Sequence, residues 1–344
     1  MRKLFIAIGI ISASLIGSCT KDITAPDFPD EPLAANFAKG ADVSWVTEME
    51  NSGLKFYNNA GTQQDLLQIL KDKGINSIRL RAWVNPASQW SSTADVVAKA
   101  VRAKAMGFRI MLDLHYSDTW ADPAAQAKPA AWANQDFAAL KTSVTNYTIG
   151  IMNALKTANI APEWVQIGNE TNNGMLWEDG KASVNMKNYA ELVQAGYAAV
   201  KSVNSSSKVI VHLSNGFDNT LFRFIFDGLK ANGANWDVTG MSLYPTADNW
   251  RSLNIQCLAN MNDMVTRYGK EVMICEVGMP ATEATASKAF LTDIIRKNNS
   301  LAGGKGLGVF YWEPEAYNDW QGYKLGAFDA TGKPTAAMDA FLLK

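Results

Sequence analysis

From residue 38 onward, short apolar runs rich in β-branched residues alternate with longer runs in which apolar residues recur at helical spacing. The short runs predict β-strands and the longer amphipathic runs predict α-helices. The predicted strands cover residues 39–44, 76–82, 108–114, 164–169, 208–213, 237–243, 271–277 and 307–312. The predicted helices cover residues 63–73, 93–106, 136–158, 186–203, 219–231, 252–268, 284–298 and 335–343.

Strict alternation of eight strands with eight helices predicts an α/β fold, namely a single (β/α)8 TIM barrel over residues 37–344. Several predicted helices are followed by a glycine, as at Gly74 and Gly269, which is typical of a helix C-terminal cap. No Gly-x-Gly-x-x-Gly motif follows the first strand, which argues against a dinucleotide-binding sheet. In a TIM barrel, functional residues are expected at the carboxyl ends of the strands.

The N-terminal residues predict an export signal. Two basic residues precede an apolar run over residues 4–16, which is shorter than the roughly 20 residues that cross a bilayer. The string Leu-Ile-Gly-Ser-Cys19 resembles a bacterial lipobox, so we expect a signal peptide over 1–18, a lipidated Cys19 and a flexible tether over 19–36. The alternative is plain signal-peptidase cleavage near Ser18. The lipobox favours an exported lipoprotein, anchored to the membrane at the outer membrane, cell surface or periplasm.

Composition argues against several classes of function. The 344 residues carry 32 Lys plus Arg and 33 Asp plus Glu, without the basic patch typical of nucleic-acid binding. The chain has two histidines, no histidine–carboxylate cluster and no Asp-x-Asp-x-Asn-Gly loop, so neither a metal nor another cofactor is expected. A Gly-x-Ser-x-Gly nucleophile motif is also absent. Nothing in the sequence predicts an oligomer, and we expect a monomer.

Two glutamates occupy predicted strand ends that lie far apart around the ring. Glu170 follows the fourth strand and Glu276 lies near the end of the seventh, so their carboxylates are expected to face each other across the barrel mouth. Such a pair can cleave a glycosidic bond, one group protonating the leaving oxygen and the other attacking the anomeric carbon. The alternative is a structural ion pair for each glutamate. The arginine, histidine and aromatic residues at neighbouring strand ends favour catalysis.

Those neighbouring residues each have a structural and a functional interpretation. Arg79 and Arg81 point to one face of the second strand, where either could hold Glu276 ionised or merely close the barrel with a salt bridge. His115, at the end of the third strand, could bind substrate or be a satisfied core histidine. Tyr244 and Trp312 end the sixth and eighth strands, and each could contact a sugar or pack in the core.

The strand-end motifs resemble those of glycoside hydrolase family 53, the endo-β-1,4-galactanases. The matching stretches are INSIRLRAWVNP (75–86), LDLHYSDTWADP (112–123), QAKPAAW (126–132), VQIGNE (165–170), GMLW (174–177), SLYP (242–245), CEVG (275–278) and FYWEP (310–314). LHYSDTWADP and VQIGNE at this spacing are specific to the family, and the motifs together span almost the whole chain beyond the predicted tether.

The resemblance implies a retaining enzyme with Glu170 as acid/base and Glu276 as nucleophile. It implies substrate-binding roles for Arg79, Trp83, His115, Asp118, Trp120, Asn169, Trp177, Tyr244 and Trp312. The implied reaction is endo-hydrolysis of β-1,4-galactosidic bonds in galactan or the type I arabinogalactan of pectin. Two alternatives are a related barrel hydrolase acting on mannan, xylan or glucan, and a non-catalytic glycan-binding lipoprotein. The second is expected to lack one of the two glutamates.

Two departures from the family pattern lie near the rim of the expected cleft. Val277 stands where the family usually has threonine, and Glu178 stands where it usually has proline. The loop after Val277 is short and lacks a carboxylate cluster, so the calcium that bacterial relatives often hold there is not expected. These departures bear on the number of sugar subsites and not on the reaction type.

Beyond Cys19, the chain contains two cysteines. If Glu276 faces the mouth, strand alternation predicts that Cys275 faces the helix layer, where the helix carrying Cys257 also lies. A disulfide between them and a pair of buried free thiols both remain open at this point.

Overall fold

The computed structural model describes residues 31–344, and the predicted signal peptide and Cys19 lie outside the described residues. Eight parallel strands form one closed barrel in chain order, with β8 paired to β1. The strands are β1 Ala38–Asp42, β2 Ser77–Ala82, β3 Arg109–Leu114, β4 Trp164–Ile167, β5 Lys208–Leu213, β6 Val238–Leu243, β7 Glu271–Val277 and β8 Gly306–Trp312. The predicted TIM barrel is confirmed, and most strand ends lie within two residues of the predicted ones.

An outer layer of helices surrounds the barrel. The α-helices are α1 Val46–Asn51, α2 Leu66–Asp72, α3 Thr93–Ala105, α4 Phe137–Thr157, α5 Ala182–Val203, α6 Asn219–Ala231, α7 Trp250–Tyr268 and α8 Ala284–Asn299. Side chains cap several of them: Ser92, for example, accepts the backbone N–H of Asp95 at the start of α3. Gly269 ends α7 with φ +66°, in the left-handed conformation that suits glycine.

Two helix predictions differ from the structure. The sequence pattern missed α1, because a helix of six residues gives too short an apolar period to detect. The predicted eighth helix over 335–343 is a 3-10 helix over Ala336–Leu342, which buries Ala337, Met338, Ala340 and Phe341. Two short α-helices therefore follow β1, and the two helices after β8, Trp320–Gly322 and Ala336–Leu342, are 3-10 helices.

The lower half of the barrel interior is apolar. Met111, Trp164, Met273 and Phe310 belong to one buried cluster that is separate from the sheet–helix core. Phe310 fills the space beside β1, where a Cβ on Gly40 would lie 2.1 Å from its ring. Glycine at position 40 is therefore required by close approach, since any side chain there would overlap the ring.

A β-bulge in β7 overturns the predicted orientation of Cys275. Ile274 pairs with Met241 and Glu276 pairs with Ser242, so Cys275 is the extra residue between them. Cys275 packs in the interior cluster with Met273, two residues before it, whereas Cys257 packs in the sheet–helix core. The two thiols are both free and lie on opposite sides of the sheet. The prediction that Cys275 faces the helix layer is wrong, because the bulge interrupts strand alternation.

The chain joins the barrel at the face where the strands begin. The Leu33 N–H donates to the Lys344 carbonyl at 2.9 Å, and Asn299, at the end of α8, bonds the backbone of Pro32 and Ala34. The last residues of the predicted tether are thus fastened to the domain. Within residues 31–344, no helix combines the length and hydropathy needed to span a bilayer.

Candidate active site

A cavity of about 610 Å³ opens at the carboxyl ends of the strands. Both Glu170 and Glu276 line it. Its aromatic lining comes from several loops and comprises Trp45, Trp83, Trp90, Trp120, Tyr244, Trp312 and Tyr323. The two carboxyl groups predicted to face each other across the mouth therefore share one aromatic-walled cleft.

Glu276 is held by two donors. The Arg79 guanidinium contacts its Oε1 at 2.7 Å, and the Tyr244 hydroxyl donates to its Oε2 at 2.9 Å. The β7 bulge brings Glu276 to the same interior side of the sheet as Cys275, where β2 and β6 can supply these partners. The sequence interpretation that Arg79 sits beside Glu276 thus agrees with the contacts.

Arg79 is fully buried at the centre of a charge network. Its guanidinium contacts Asp42 at 2.7 Å and Asp113 at 3.0 Å, and donates to Asn169 at 3.0 Å. Burial alone would lower the arginine pKa, but the carboxylates of Asp113, Glu276 and Asp42 raise it well above its usual value. Arg79 therefore remains a fixed cation beneath the cleft.

Glu170 follows β4 in a turn of unusual backbone geometry. Gly168 has φ +79° and Glu170 has φ +45°, so the chain leaves the strand before the carboxyl group. A non-glycine residue in this conformation is strained, which is typical of functional sites. The predicted strand over 164–169 accordingly ends early, at Ile167.

The two carboxyl groups have different surroundings. Burial raises the pKa of Glu170, opposed by a hydrogen bond with Ser242 and by the more distant Arg79 charge. Burial also raises the pKa of Glu276, opposed by the Arg79 contact and the Tyr244 hydrogen bond and reinforced by the Glu170 charge. Two buried acids that share a cleft resist simultaneous ionisation, so the pair retains a proton to higher pH than an isolated glutamate.

Both ring nitrogens of His115 are occupied by protein groups. Nε2 lies 2.9 Å from Asp113, and Nδ1 accepts the Ala121 backbone N–H at 3.1 Å and the Trp83 indole N–H at 3.3 Å. Burial lowers the pKa of His115, which fits a neutral ring with its proton on Nε2. His115 lines the cleft, but its polar atoms hold Trp83 and the loop at Ala121 in place.

Arg81 lines the cleft and packs against its tryptophans. Its guanidinium lies 4.1 Å from the Trp120 ring centroid and 5.1 Å from that of Trp83, and it pairs with the buried Glu313 at 3.1 Å. Glu313 also accepts the Trp45 backbone N–H at 3.1 Å. Of the two arginines considered from the sequence, Arg79 contacts the candidate nucleophile and Arg81 orders the tryptophans.

Most of the remaining predicted binding residues reach the cleft. Trp83, Trp120, Asn169, Tyr244 and Trp312 line it together with the two glutamates. The Asn169 amide nitrogen donates to the Ala121 carbonyl at 2.8 Å, which uses one of its two N–H groups and leaves one for a ligand.

Asp118 and Trp177 do not line the cleft. The Asp118 carboxylate accepts backbone N–H groups from Asn85 at 3.0 Å and Ala130 at 2.9 Å, joining two loops. The Trp177 indole donates to the Asn173 carbonyl at 2.9 Å, with Lys181 over its ring. Both side chains therefore contact residues of the loops at the rim of the cleft.

Sequence reasoning missed several residues that build the site. Asp42, Gln166, His212 and Ser242 are fully buried polar residues on barrel strands, and each bonds to another site residue. Their signal was present, because a polar side chain inside an otherwise apolar barrel strand needs a polar partner. Among residues 31–344, no group of three or more His, Cys, Asp or Glu is arranged to hold a metal ion.

The sequence matches the family model described as "Glycosyl hydrolase family 53" over residues 38–341. It is 36% identical over 304 residues to the probable arabinogalactan endo-beta-1,4-galactanase A of Aspergillus terreus, covering 82% of this chain and 86% of that protein.

Two solved structures are similar over most of both chains. A structure from a study of two fungal beta-1,4-galactanases has a TM-score of 0.83 and 30% identity, covering 90% of this chain and 99% of its own. The GH53 catalytic domain of Ignisphaera aggregans also has a TM-score of 0.83 and 30% identity, covering 92% of this chain and 98% of its own.

Proposed function

The chain belongs to glycosyl hydrolase family 53, and from that premise we propose that it is a retaining endo-β-1,4-galactanase acting on the galactan or type I arabinogalactan of pectin. The family membership confirms the resemblance found in the motifs and makes the chain a glycoside hydrolase. The substrate is inferred from relatives that carry the name arabinogalactan endo-beta-1,4-galactanase. The retaining mechanism is inferred from the two glutamates.

The observation that carries the mechanism is the unequal bonding of the two carboxyl groups. Glu276 contacts the Arg79 cation at 2.7 Å and accepts from Tyr244 at 2.9 Å, and both interactions favour its ionised form. Glu170 has no cation at contact distance among the described ion pairs. The proton that the pair retains therefore resides on Glu170, which makes Glu170 the acid and Glu276 the nucleophile.

The reaction proceeds in two steps. Glu276 attacks the anomeric carbon while Glu170 protonates the departing glycosidic oxygen, which forms a covalent glycosyl-enzyme and frees the aglycone. Glu170, now ionised, takes a proton from water; the water attacks the anomeric carbon, and Glu276 leaves as a carboxylate. The two displacements give net retention at the anomeric carbon.

The binding residues have distinct tasks in this proposal. Asn169 lines the cleft beside Glu170, and its second amide N–H donates to a sugar hydroxyl in this proposal. Trp312 and Trp120 offer flat apolar surfaces to sugar rings, since both line the cleft. His115 acts indirectly by fixing Trp83, and Asp118 and Trp177 shape the rim.

We also propose export and attachment through a lipid on Cys19, as the N-terminal motif predicts. The chain enters the domain at the face where the strands begin, so an anchor would reach it from the side opposite the cleft. This geometry leaves the cleft open to a polysaccharide. Mass spectrometry of the N-terminal peptide, with and without globomycin, tests the anchor: an unlipidated peptide starting after Ser18 would contradict it.

Hydrolysis is tested by reducing-end release from β-1,4-galactan, mannan, xylan and a soluble β-glucan. The protein starting at Thr20 is compared with Glu276→Gln and with Glu178→Gln, a control that makes the same chemical change at an exposed rim carboxylate. We expect release from galactan alone, lost only in Glu276→Gln, with the β-anomer appearing first by NMR. Reducing-end release from another polymer would show that this polymer, and not galactan, is the substrate. Binding of galactan without reducing-end release would favour the glycan-binding alternative.

A further inference from the structure

The wall of the cleft extends beyond the residues that surround the two glutamates. Glu48, Trp90 and Gln321 all line the cavity, but none of them lies on a barrel strand. Glu48 belongs to α1, Trp90 lies in the loop before α3, and Gln321 belongs to the 3-10 helix Trp320–Gly322 after β8. The two-step reaction uses none of these three side chains.

Trp90 differs from the other tryptophans of the cleft in having a free side chain. The others pack against further aromatic rings, and the Trp83 indole also donates to His115. Within residues 31–344, the Trp90 side chain makes no hydrogen bond and contacts no other aromatic ring and no cation. Its indole N–H is therefore available to a ligand in the cavity that its ring lines.

The backbone next to Trp90 is held firmly although the Trp90 side chain is not. The carbonyl of Ser91 accepts the Trp83 N–H at 2.8 Å, and the Ser91 N–H donates to Asp95 Oδ2 at 2.7 Å. Ser91 has φ +58°, a strained conformation for a non-glycine residue that is typical of functional sites. An ordered backbone thus presents the Trp90 ring, which lowers the entropic cost of binding a ligand.

One carboxylate connects the Trp90 loop to α1. Asp95 Oδ2 accepts from Ser91, the residue after Trp90. Asp95 Oδ1 accepts from the hydroxyl of Thr47, the residue before Glu48, at 2.8 Å. Trp90 and Glu48 are therefore each one residue away from the same anchor, which keeps them together in the wall of the cavity.

Glu48 in turn connects α1 to the segment after β8. Its Oε1 accepts from Gln321 Nε2 at 3.1 Å, and Gln321 has φ +52°, a second strained conformation at this part of the cleft. Among the described residues, Glu48 Oε2 and Gln321 Oε1 accept from no protein donor, and Gln321 Nε2 has a second N–H. The pair thus offers two acceptors and one donor, which suits neighbouring sugar hydroxyls that both donate and accept.

The order of the strands places these three residues on one side of the cleft. They come from the segments that follow β8, β1 and β2, which are neighbours in the ring. The central one, β1, is two strands from β7, which carries Glu276, and three strands from β4, which precedes Glu170. In the proposed reaction Glu276 bonds the anomeric carbon of the glycone, whereas Glu170 protonates the oxygen of the aglycone. The three residues therefore lie on the glycone side.

We propose that Trp90, Glu48 and Gln321 form a distal subsite for a galactose unit on the non-reducing side of the bond that is cleaved. The Trp90 ring packs against the C–H face of the pyranose, and the Glu48–Gln321 pair bonds its hydroxyl groups. The assignment rests on the proposed function, which supplies the sugar and the direction of the chain. Occupation of this subsite determines how many galactose units lie on the glycone side when the bond breaks.

The first test measures binding to Glu276→Gln, which leaves the oligosaccharide intact. The Trp90 indole N–H signal in a 1H–15N NMR spectrum is assigned by its loss in Trp90→Phe, and a β-1,4-galactan hexasaccharide should shift it. Adding Trp90→Ala should weaken hexasaccharide binding by about tenfold. Phe224→Ala, which removes an exposed aromatic ring on α6, should leave it unchanged. An unmoved Trp90 signal, or unchanged affinity in Trp90→Ala, would overturn the proposal.

The second test locates the subsite relative to the bond that is cleaved. Hydrolysis of a β-1,4-galactan tetrasaccharide in 18O-labelled water marks each new reducing end, and mass spectrometry then gives the frequency of cleavage at each bond. Trp90→Ala and Gln321→Ala should move cleavage toward the non-reducing end, because fewer units are held on the glycone side. Both should raise KM on galactan with little change in kcat, as expected for binding away from the reacting atoms.

The control for Gln321→Ala is Gln256→Ala, which removes an exposed glutamine on α7 and should keep the wild-type cleavage pattern. An unchanged pattern in Trp90→Ala, or a shift toward the reducing end, would overturn the assignment to the glycone side. A fall in kcat at constant KM would show that these residues act on the reacting atoms and would contradict a distal subsite.

Failure of the subsite and failure of the proposed function give different results. If the wild-type protein hydrolyses galactan but neither the Trp90 signal nor the cleavage pattern responds, only the subsite fails. If the wild-type protein cleaves another polymer and not galactan, the proposed function and the galactose subsite both fail. Thermal unfolding shows whether each variant is folded, and Trp90→Phe, which keeps a smaller ring without the indole N–H, carries the comparison if Trp90→Ala does not fold.

Discussion

The Arg79 guanidinium lies 2.7 Å from the Glu276 carboxylate and 2.7 Å from the Asp42 carboxylate, in a part of the barrel closed to solvent. The Asp113 carboxylate lies 3.0 Å from the same guanidinium. One arginine therefore forms ion pairs with a nucleophile candidate at the mouth and with two aspartates below it. The same cation serves the stability of the barrel interior and the chemistry of the cleft.

Arg79→Lys should impair both properties. Lysine cannot reach three carboxylates and two amide oxygens at once, so at least one buried carboxylate loses its partner. We expect the free energy of unfolding to fall by about 3 kcal/mol and kcat/KM on galactan to fall by about 100-fold or more. Urea denaturation and reducing-end assays measure the two effects.

The control is Arg102→Lys, which makes the same change in a partly exposed pair with Glu50 and Asp65. Arg102→Lys should lower the free energy of unfolding by less than about 1 kcal/mol and leave activity unchanged. If Arg79→Lys kept wild-type stability and activity, the Arg79 network would not have the importance that its contacts indicate.

Tyr244→Phe should change the pH dependence of the reaction on its acidic side. The Tyr244 hydroxyl donates to Glu276 and lowers the pKa of that carboxyl, so its removal raises this pKa. Since the nucleophile must be ionised, the acidic limb of kcat/KM should move upward by about one pH unit. Measurement of kcat/KM on galactan over a series of pH values tests this shift.

Tyr317→Phe is the matched control for Tyr244→Phe. Its hydroxyl donates to the Lys55 carbonyl at 2.9 Å and does not line the cleft, so both limbs should stay in place. Movement of the alkaline limb in Tyr244→Phe would instead identify Glu276, the partner of this hydroxyl, as the acid and reverse the proposed roles.

The two cysteines beyond residue 30 should behave as buried thiols. Cys257 and Cys275 lie on opposite sides of the sheet, and burial raises the pKa of Cys257 to about 12. In the protein starting at Thr20, we expect Ellman's reagent to label no thiol in the native state and two after unfolding. A reductant should not change the Tm. Fewer than two thiols after unfolding, with a reductant-sensitive Tm, would show a disulfide and contradict the β7 geometry.

The strand pattern predicted the barrel because the strands are buried on both faces and most of them read as short, largely apolar runs. It also placed Glu170 and Glu276 at the mouth, since strand ends mark the functional face of this fold. The strand pattern could not predict the orientation of Cys275, because a bulge depends on the pairing register between strands and not on the residues of one strand. The strand pattern did not identify Gln166 and His212 as site residues either, because their hydrogen-bond partners lie on other strands.

The contact between Gly40 and Phe310 gives a stability test that is independent of the cleft. A Cβ at position 40 would lie 2.1 Å from the Phe310 ring, so Gly40→Ala should lower the free energy of unfolding by at least about 1–3 kcal/mol. Gly150→Ala is the control, because Gly150 lies in α4 with open space around it. That change should stabilise the protein by about 0.5–1 kcal/mol. Adding Phe310→Leu to Gly40→Ala should recover part of the loss, and strictly additive effects in this double-mutant cycle would contradict the close packing.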